Sequence, residues 1–324
     1  MAQSLTSHRP MLAVGLKLAA LMLFTSMSAL VKALSDDFPP GELVFFRSLF
    51  AIPVIIGWLL WRGELAQGLI TRKPMGHVWR GVLGTSAMGL TFTGLALLPL
   101  PEVTAIGYAT PMFTVILAAM LLGERIRLVR ITAVALGLVG VMIVLAPRLT
   151  VAGDAVSSAA TAGAIMVLVA SIMRALVQIH VRRLVQTDHT AAIVFYFSVT
   201  ASTLGLLSWP VAALMGWDTM VWTAPPTWAW ILLVLSGLIG GIAQIMVTSS
   251  YRFGSASMLA PFDYASMIFA TIIGYVAFSE VPTAATLLGA SLVIAGGVLI
   301  IWRERQLGLD RSKSKPNIPP EGAN

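Results

Sequence analysis

The sequence predicts an all-α integral membrane protein: ten transmembrane helices arranged as two inverted five-helix repeats. Three observations carry that reading. First, the composition leaves little for water to solvate. The 324 residues are 57% hydrophobic and 11% charged, with a mean hydropathy of +0.88, more apolar surface than a soluble globule needs. Second, the apolar residues gather into ten long segments separated by short links. Third, the second half repeats the first. When Gly81-Val82-Leu83-Gly84 is set over Gly237-Leu238-Ile239-Gly240, the same shift of 156 residues puts Tyr108 on Tyr264, Glu124 on Glu280 and Gly140 on Gly296. A unit of five crossings is odd, so its second copy enters the membrane upside down.

About 20 apolar residues span a bilayer as a helix. The first span, 11–34, follows Arg9 and contains Ser26-Met27-Ser28-Ala29, which imitates a cleaved leader. Nine further spans follow and this helix completes the repeat, so it is read as retained. Spans 41–61, 80–98, 102–123 and 128–147 complete the first repeat. Spans 160–182, 190–212, 228–250, 256–278 and 283–302 form the second. The units are therefore 11–148 and 159–303, with a polar tail over 304–324 carrying Pro316, Pro319 and Pro320. That composition is expected to be disordered.

The basic residues give orientation. With the N-terminus in the cytoplasm, 16 of the 21 Lys and Arg fall in inside segments, among them Arg62, Arg72, Lys73 and Arg80. Only Lys32 and Arg148 fall outside, while Lys17, Arg47 and Arg174 lie within spans. The positive-inside rule reads both termini as cytoplasmic in a bacterial-type inner membrane. The net charge of +7 is thereby explained without nucleic acid. Cysteine is absent, so there is no disulfide or thiolate metal site. His8, His77, His180 and His189 lack metal-ligand spacing, and no phosphate loop or hydrolase motif occurs. No cofactor and no metal is expected.

Ionisable groups inside a bilayer call for a reading each. Lys17 is close enough to the cytoplasmic end to snorkel to the headgroups. Glu102, Glu124 and Glu280 stand at span ends, where loop anchoring and helix-end pairing suffice. Arg47 either lines an outer vestibule for an anionic group or holds helices through backbone carbonyls. Arg174, Gln244 and Asp263 fall at nearly one depth, with Gln178 on the face of Ser171 and Arg174. They are either polar contacts for a substrate, Asp263 a proton site among them, or a structural Arg174–Asp263 pair. Tyr108 and Tyr264, one in each half of the bilayer, are either paired aromatic gates or packed core. Trp209, Trp217, Trp222, Trp228 and Trp230 read as an interfacial belt. Pro111 removes one helical hydrogen bond, giving a kink or a freed carbonyl for a cavity or hinge.

Several short motifs resemble one family. They are Pro40-Gly-Glu-Leu-Val-Phe-Phe-Arg47, Ala109-Thr-Pro111, Leu122-Gly-Glu124 and Gly140, then Phe278-Ser-Glu280 and Gly296-Gly297 in the second copy. With ten spans and the repeat, the chain resembles the EamA-type branch of the drug/metabolite transporter superfamily over 11–303. It departs from the repeat pattern at Met267, where the first copy has Pro111, and at Asp263, where it has Gly107. The resemblance implies movement of small organic metabolites across an inner membrane without ATP. Inverted repeats hold substrate between their halves and work by alternating access. The first expectation is uptake of a flat or zwitterionic metabolite such as riboflavin or S-adenosylmethionine, with amino-acid or drug export as the alternative. A membrane-embedded enzyme is the remote one, since Asp36 and Asp37 have no partner cluster. The expected partners are a small-molecule metabolite, membrane lipid and, as an option, a second copy in a homodimer. The expected substrate-binding residues are Arg47, Tyr108, Arg174, Gln178, Gln244, Asp263 and Tyr264.

Overall fold

The computed structural model describes residues 9–71, 73–122, 128–150, 155–184, 187–217, 220–253 and 259–313. These residues form helices, turns and links, with no strand among them. The helices are α1 Pro10–Leu34, α2 Pro40–Trp61, the short α3 Leu65–Gly68, α4 Pro74–Leu97, α5 Leu100–Gly107, α6 Ala109–Leu122 and α7 Leu128–Thr150. The second half has α8 Ala155–Leu184, α9 Thr190–Met215 and α10 Thr227–Phe253. A 3-10 turn, Ala260–Tyr264, then leads into α11 Ala265–Phe278, and α12 Ala284–Lys313 ends the described chain. Glu124, Arg125 and Arg127 and the tail past Lys313 lie outside the described residues.

Proline sets several helix starts. Pro10, Pro40 and Pro74 stand at the first position of α1, α2 and α4, where the missing N–H is no loss. Pro74 corrects one boundary: the third span begins six residues before Arg80, so Arg80 belongs to the bundle and not to the cytoplasmic loop. The last helix runs on to Lys313, past the boundary expected at 303. Among the described residues, five helices are long and apolar enough to cross a membrane by length and composition, within α1, α2, α8, α9 and α10. Their outer faces carry exposed apolar side chains, Leu206, Leu207, Val211 and Leu214 on α9 for example. Such an outward apolar face is what lipid solvates.

The fourth span, where Pro111 suggested a kink, is interrupted, and the ninth opens on a 3-10 turn where a continuous α-helix was expected. The fourth breaks at Tyr108, between α5 and α6. Pro111 explains the position, because a proline ring clashes with the carbonyl four residues earlier, here that of Gly107. The ninth passes from its 3-10 turn to α-helix between Tyr264 and Ala265. Tyr108 and Tyr264 are the residues that the 156-residue shift superposes.

The packing plan is that of two exchanged repeats. The first span of each half packs on the third of the other: α1 on α10, and α8 on α4. The third span of each half also packs on the second of the other: α4 on α9, and α10 on α2. The second spans α2 and α9 pack together, as do the fifth spans α7 and α12. Every one of these contacts maps onto itself or its partner when the halves are exchanged. Without a hydrophobic force between helices in lipid, close approach supplies the packing energy. It is closest where α7 crosses α12: a Cβ on Gly140 would strike the carbonyl of Gly289, and one on Gly289 would strike that of Gly140.

Candidate functional site

The two helix breaks meet at the centre of the bundle. The Tyr108 ring lies edge-on to the Tyr264 ring, with centroids 5.2 Å apart. The Tyr108 hydroxyl donates toward the Tyr264 carbonyl at 3.1 Å and lies 2.8 Å from Ser266 Oγ. Ser266 in turn donates to the Asp263 carbonyl at 2.7 Å. Both tyrosines are buried. They form one contact, where the sequence suggested two gates apart. Backbone polar groups freed by a broken helix need partners in a dry interior, and here the tyrosine of one repeat serves the break of the other.

Asp263 departs from the expected pairing. Its Oδ1 lies 2.6 Å from Lys17 Nζ. Arg174 is not its partner. The snorkelling expected of Lys17 is likewise replaced by burial, its side chain only 4% exposed. Taking the Lys17 ammonium out of water costs several kcal/mol, and the Asp263 carboxylate, 36% exposed, offsets it and ties α1 to the start of the ninth span. The other end of that span is tied to α1 as well. Glu280 lies 3.1 Å from Lys32 and accepts from the Leu100 N–H at 2.8 Å. Lys32 also donates to the carbonyls of Leu95 and Leu98. Glu280 thus has the helix-end pairing its position suggested.

Arg174 occupies the place that the first repeat leaves open. A Cβ on Gly107 would lie 3.4 Å from its Nη2, and the guanidinium donates to Ser171 Oγ at 3.3 Å. Gly107 is the repeat mate of Asp263, so a glycine makes room for a cation where the other half carries an acid. One turn beyond Arg174, Gln178 Oε1 accepts from Thr114 at 3.2 Å. Arg174 and Gln178 therefore line the first repeat's broken span. Gln244 is not drawn into this group. It stays half-buried on α10, its carbonyl accepting from Thr248 at 2.6 Å.

Arg47 reveals a second locus. Its guanidinium lies over the Phe197 ring at 5.8 Å, and that of Arg80 lies over the same ring at 3.8 Å. Glycines make the room: a Cβ on Gly240 would stand 3.1 Å from Arg47 Nε, and one on Gly84 would meet Phe197 and Arg80. Each cation–π contact contributes about 0.5–2 kcal/mol, less than the cost of desolvating a guanidinium. Sequence reasoning missed Arg80 because its span was started too late. Pro74, a first-position proline, was the signal that could have placed it. Trp222 departs from the interfacial belt: its indole donates to Ser208 at 3.2 Å, and its ring packs on Phe45 and Phe46. Trp209, Trp217, Trp228 and Trp230 remain exposed.

A multi-pass helical membrane protein with exchanged repeats and two broken helices meeting at its centre has the architecture of a secondary transporter. The family model of the EamA-like transporter family matches residues 11–146 and 161–302, and the chain belongs to that family. It is 32% identical over 292 residues to the pseudopaline exporter CntI of Pseudomonas aeruginosa, covering 89% of this chain and 93% of that one. It is 26% identical over 265 residues to the S-adenosylmethionine uptake transporter of Rickettsia prowazekii, covering 82% and 84%. A solved structure titled "Crystal structure of protein" shares the fold with a TM-score of 0.61 at 20% identity, over 91% of this chain and 98% of that one.

Proposed function

We propose that this transporter carries a zwitterionic or flat organic metabolite, of the S-adenosylmethionine kind, across a bacterial-type inner membrane by alternating access. The observation that carries the reading is the meeting of the two repeat-related helix breaks at Tyr108 and Tyr264. Broken helices at matching positions of inverted repeats hold substrate in many secondary transporters. The halves 11–148 and 159–303 rock against each other, with the contact of the fifth spans at Gly140 and Gly289 as a bearing. Arg47, Tyr108, Arg174, Gln178, Asp263 and Tyr264 contact the substrate, while Gln244 joins them only in another state of the cycle. The protein does not act as an enzyme: the acid nearest the breaks, Asp263, is held by Lys17. Lipid covers the exposed apolar faces.

Uptake is the first reading of direction. The relative named as a pseudopaline exporter favours export as a second. An unbiased comparison of metabolites accumulated and released by cells with and without the protein decides between them. Net flux of one zwitterionic metabolite in either direction supports transport, and no difference for any metabolite overturns it. Orientation rests on the bias of basic residues toward one side. A reporter fused after Lys313 should behave as cytoplasmic, and labelling of that site from outside would reverse the topology.

A further inference from the structure

We propose that Arg47 and Arg80, gathered on Phe197, bind the carboxylate of the transported metabolite; this rests on the transport reading and names the substrate's recognised group. The two arginines are 4% and 6% exposed. Arg47 Nε and Arg80 Nε and Nη1 are buried with no hydrogen-bond partner. Acids elsewhere have other partners: Asp263 has Lys17, Glu280 has Lys32, Glu64 has Arg62 and Asp188 has the His77 ring. Glu42 is buried on α2 and forms no ion pair with either arginine among the described residues. Two like charges therefore sit on one aromatic ring and repel each other, inside a membrane-embedded bundle, and neither arginine forms an ion pair with an acid among the described residues.

The geometry suits a carboxylate. Both guanidiniums lie over the Phe197 ring, and a ring contact of that kind satisfies no N–H. A guanidinium's edge presents its donors as a planar fork, which a carboxylate accepts two at a time. Arg47 lies about 10 Å along α2 from Pro40 and Arg80 about 9 Å along α4 from Pro74. Consecutive spans start on opposite faces, so the two side chains reach Phe197 from opposite sides of the bilayer. Phe197 belongs to the second repeat and the arginines to the first. A carboxylate held there sits at the seam between the halves, where alternating access needs its ligand.

The repeat locates the asymmetry. With Pro40 of α2 set on Thr190 of α9, Val44-Phe45-Phe46-Arg47 falls on Val194-Phe195-Tyr196-Phe197. Arg47 is thus the counterpart of the ring it faces. By the 156-residue shift Arg80 falls on Ser236. Neither arginine has a cationic counterpart in the second repeat, as expected of residues that serve a ligand and not the shared scaffold.

The test uses the full chain purified in lipid nanodiscs, with the thermal unfolding midpoint as readout. The probes are methionine, S-adenosylmethionine, methionine amide, inorganic phosphate and chloride. Methionine and S-adenosylmethionine should raise the midpoint with concentration, and the amide should not. Arg80→Gln and Arg47→Gln should each weaken that effect by about tenfold or more, and Arg80→Lys should retain part of it. Without ligand, Arg80→Gln should unfold no lower than the unaltered protein, because a repulsion has been removed. The proposal is overturned if carboxylate and amide act alike, or if phosphate or chloride alone gives the full shift, which marks an inorganic-anion site. It is also overturned if unliganded Arg80→Gln unfolds far below the unaltered protein while Arg80→Lys is intact, which marks a structural cation. If cells show no metabolite flux while the carboxylate still stabilises through Arg80, the transport reading fails and the anion site stands.

Discussion

The two halves of this molecule share a packing plan and differ in their charges. α1 packs on α10 as α8 packs on α4, and both fourth spans break at a tyrosine. Yet at matching positions the first half has Gly107, Arg47 and Arg80 where the second has Asp263, Phe197 and Ser236. Backbone geometry tolerates little variation where helices cross closely, so it is kept in both copies. Buried charge is expensive wherever it stands, so it is not duplicated between the copies. A scaffold symmetric in backbone and asymmetric in charge can present one site to both sides of a membrane and still bind a ligand that has no symmetry of its own.

The comparison is broken most severely at Asp263. Asp263→Gly gives the second repeat the residue of the first and removes the carboxylate that Lys17 holds. It should destabilise the protein by about 3 kcal/mol, read as thermal unfolding of the purified protein. Adding Lys17→Met should recover most of that stability without restoring metabolite uptake. Recovery of both would reduce Asp263 to a structural ion.

The symmetric part of the comparison is tested at the crossing of α7 and α12. Gly140→Val and Gly289→Val each drive a side chain into a carbonyl of the other helix. Each should cost about 2 kcal/mol, and the two should match within a factor of about two. A large disparity would show that one of the two helices yields at the crossing more readily than the other.

The smallest effect separates the matched tyrosines. Tyr108→Phe deletes contacts to the Tyr264 carbonyl and Ser266 and should cost about 1 kcal/mol. The Tyr264 hydroxyl makes no hydrogen bond among the described residues, so Tyr264→Phe should shift the unfolding midpoint hardly at all. Equal costs would mean that the two breaks support each other reciprocally.

Much of this architecture was legible in the apolar pattern, because lipid imposes span lengths and the repeat carries its own register. Pro111 marked the break at Tyr108, since a missing donor acts within one helix. The break at Tyr264 had no such mark, for Met267 stands where the proline would be. Pairings were the least legible. Lys17 meets Asp263 across two helices far apart in sequence, and no periodicity within one helix encodes that contact. Depth along the helices grouped Arg174, Gln244 and Asp263, but depth leaves open which way each face turns. Arg80 was lost to a span boundary, the place where hydropathy is least sharp.

The exchange of first and third spans also sets a timetable for synthesis. α1 is made first, and α10, against which it packs, follows after roughly 200 residues. At about 5–20 residues/s that is an interval of about 10–40 s. Lys17 and Lys32 wait longer still, because Asp263 and Glu280 belong to the ninth span. The beginning of the chain is therefore in the membrane well before the surfaces that receive it have been translated. A ribosome halted after α9 would leave behind a first helix still lacking the α10 it packs against.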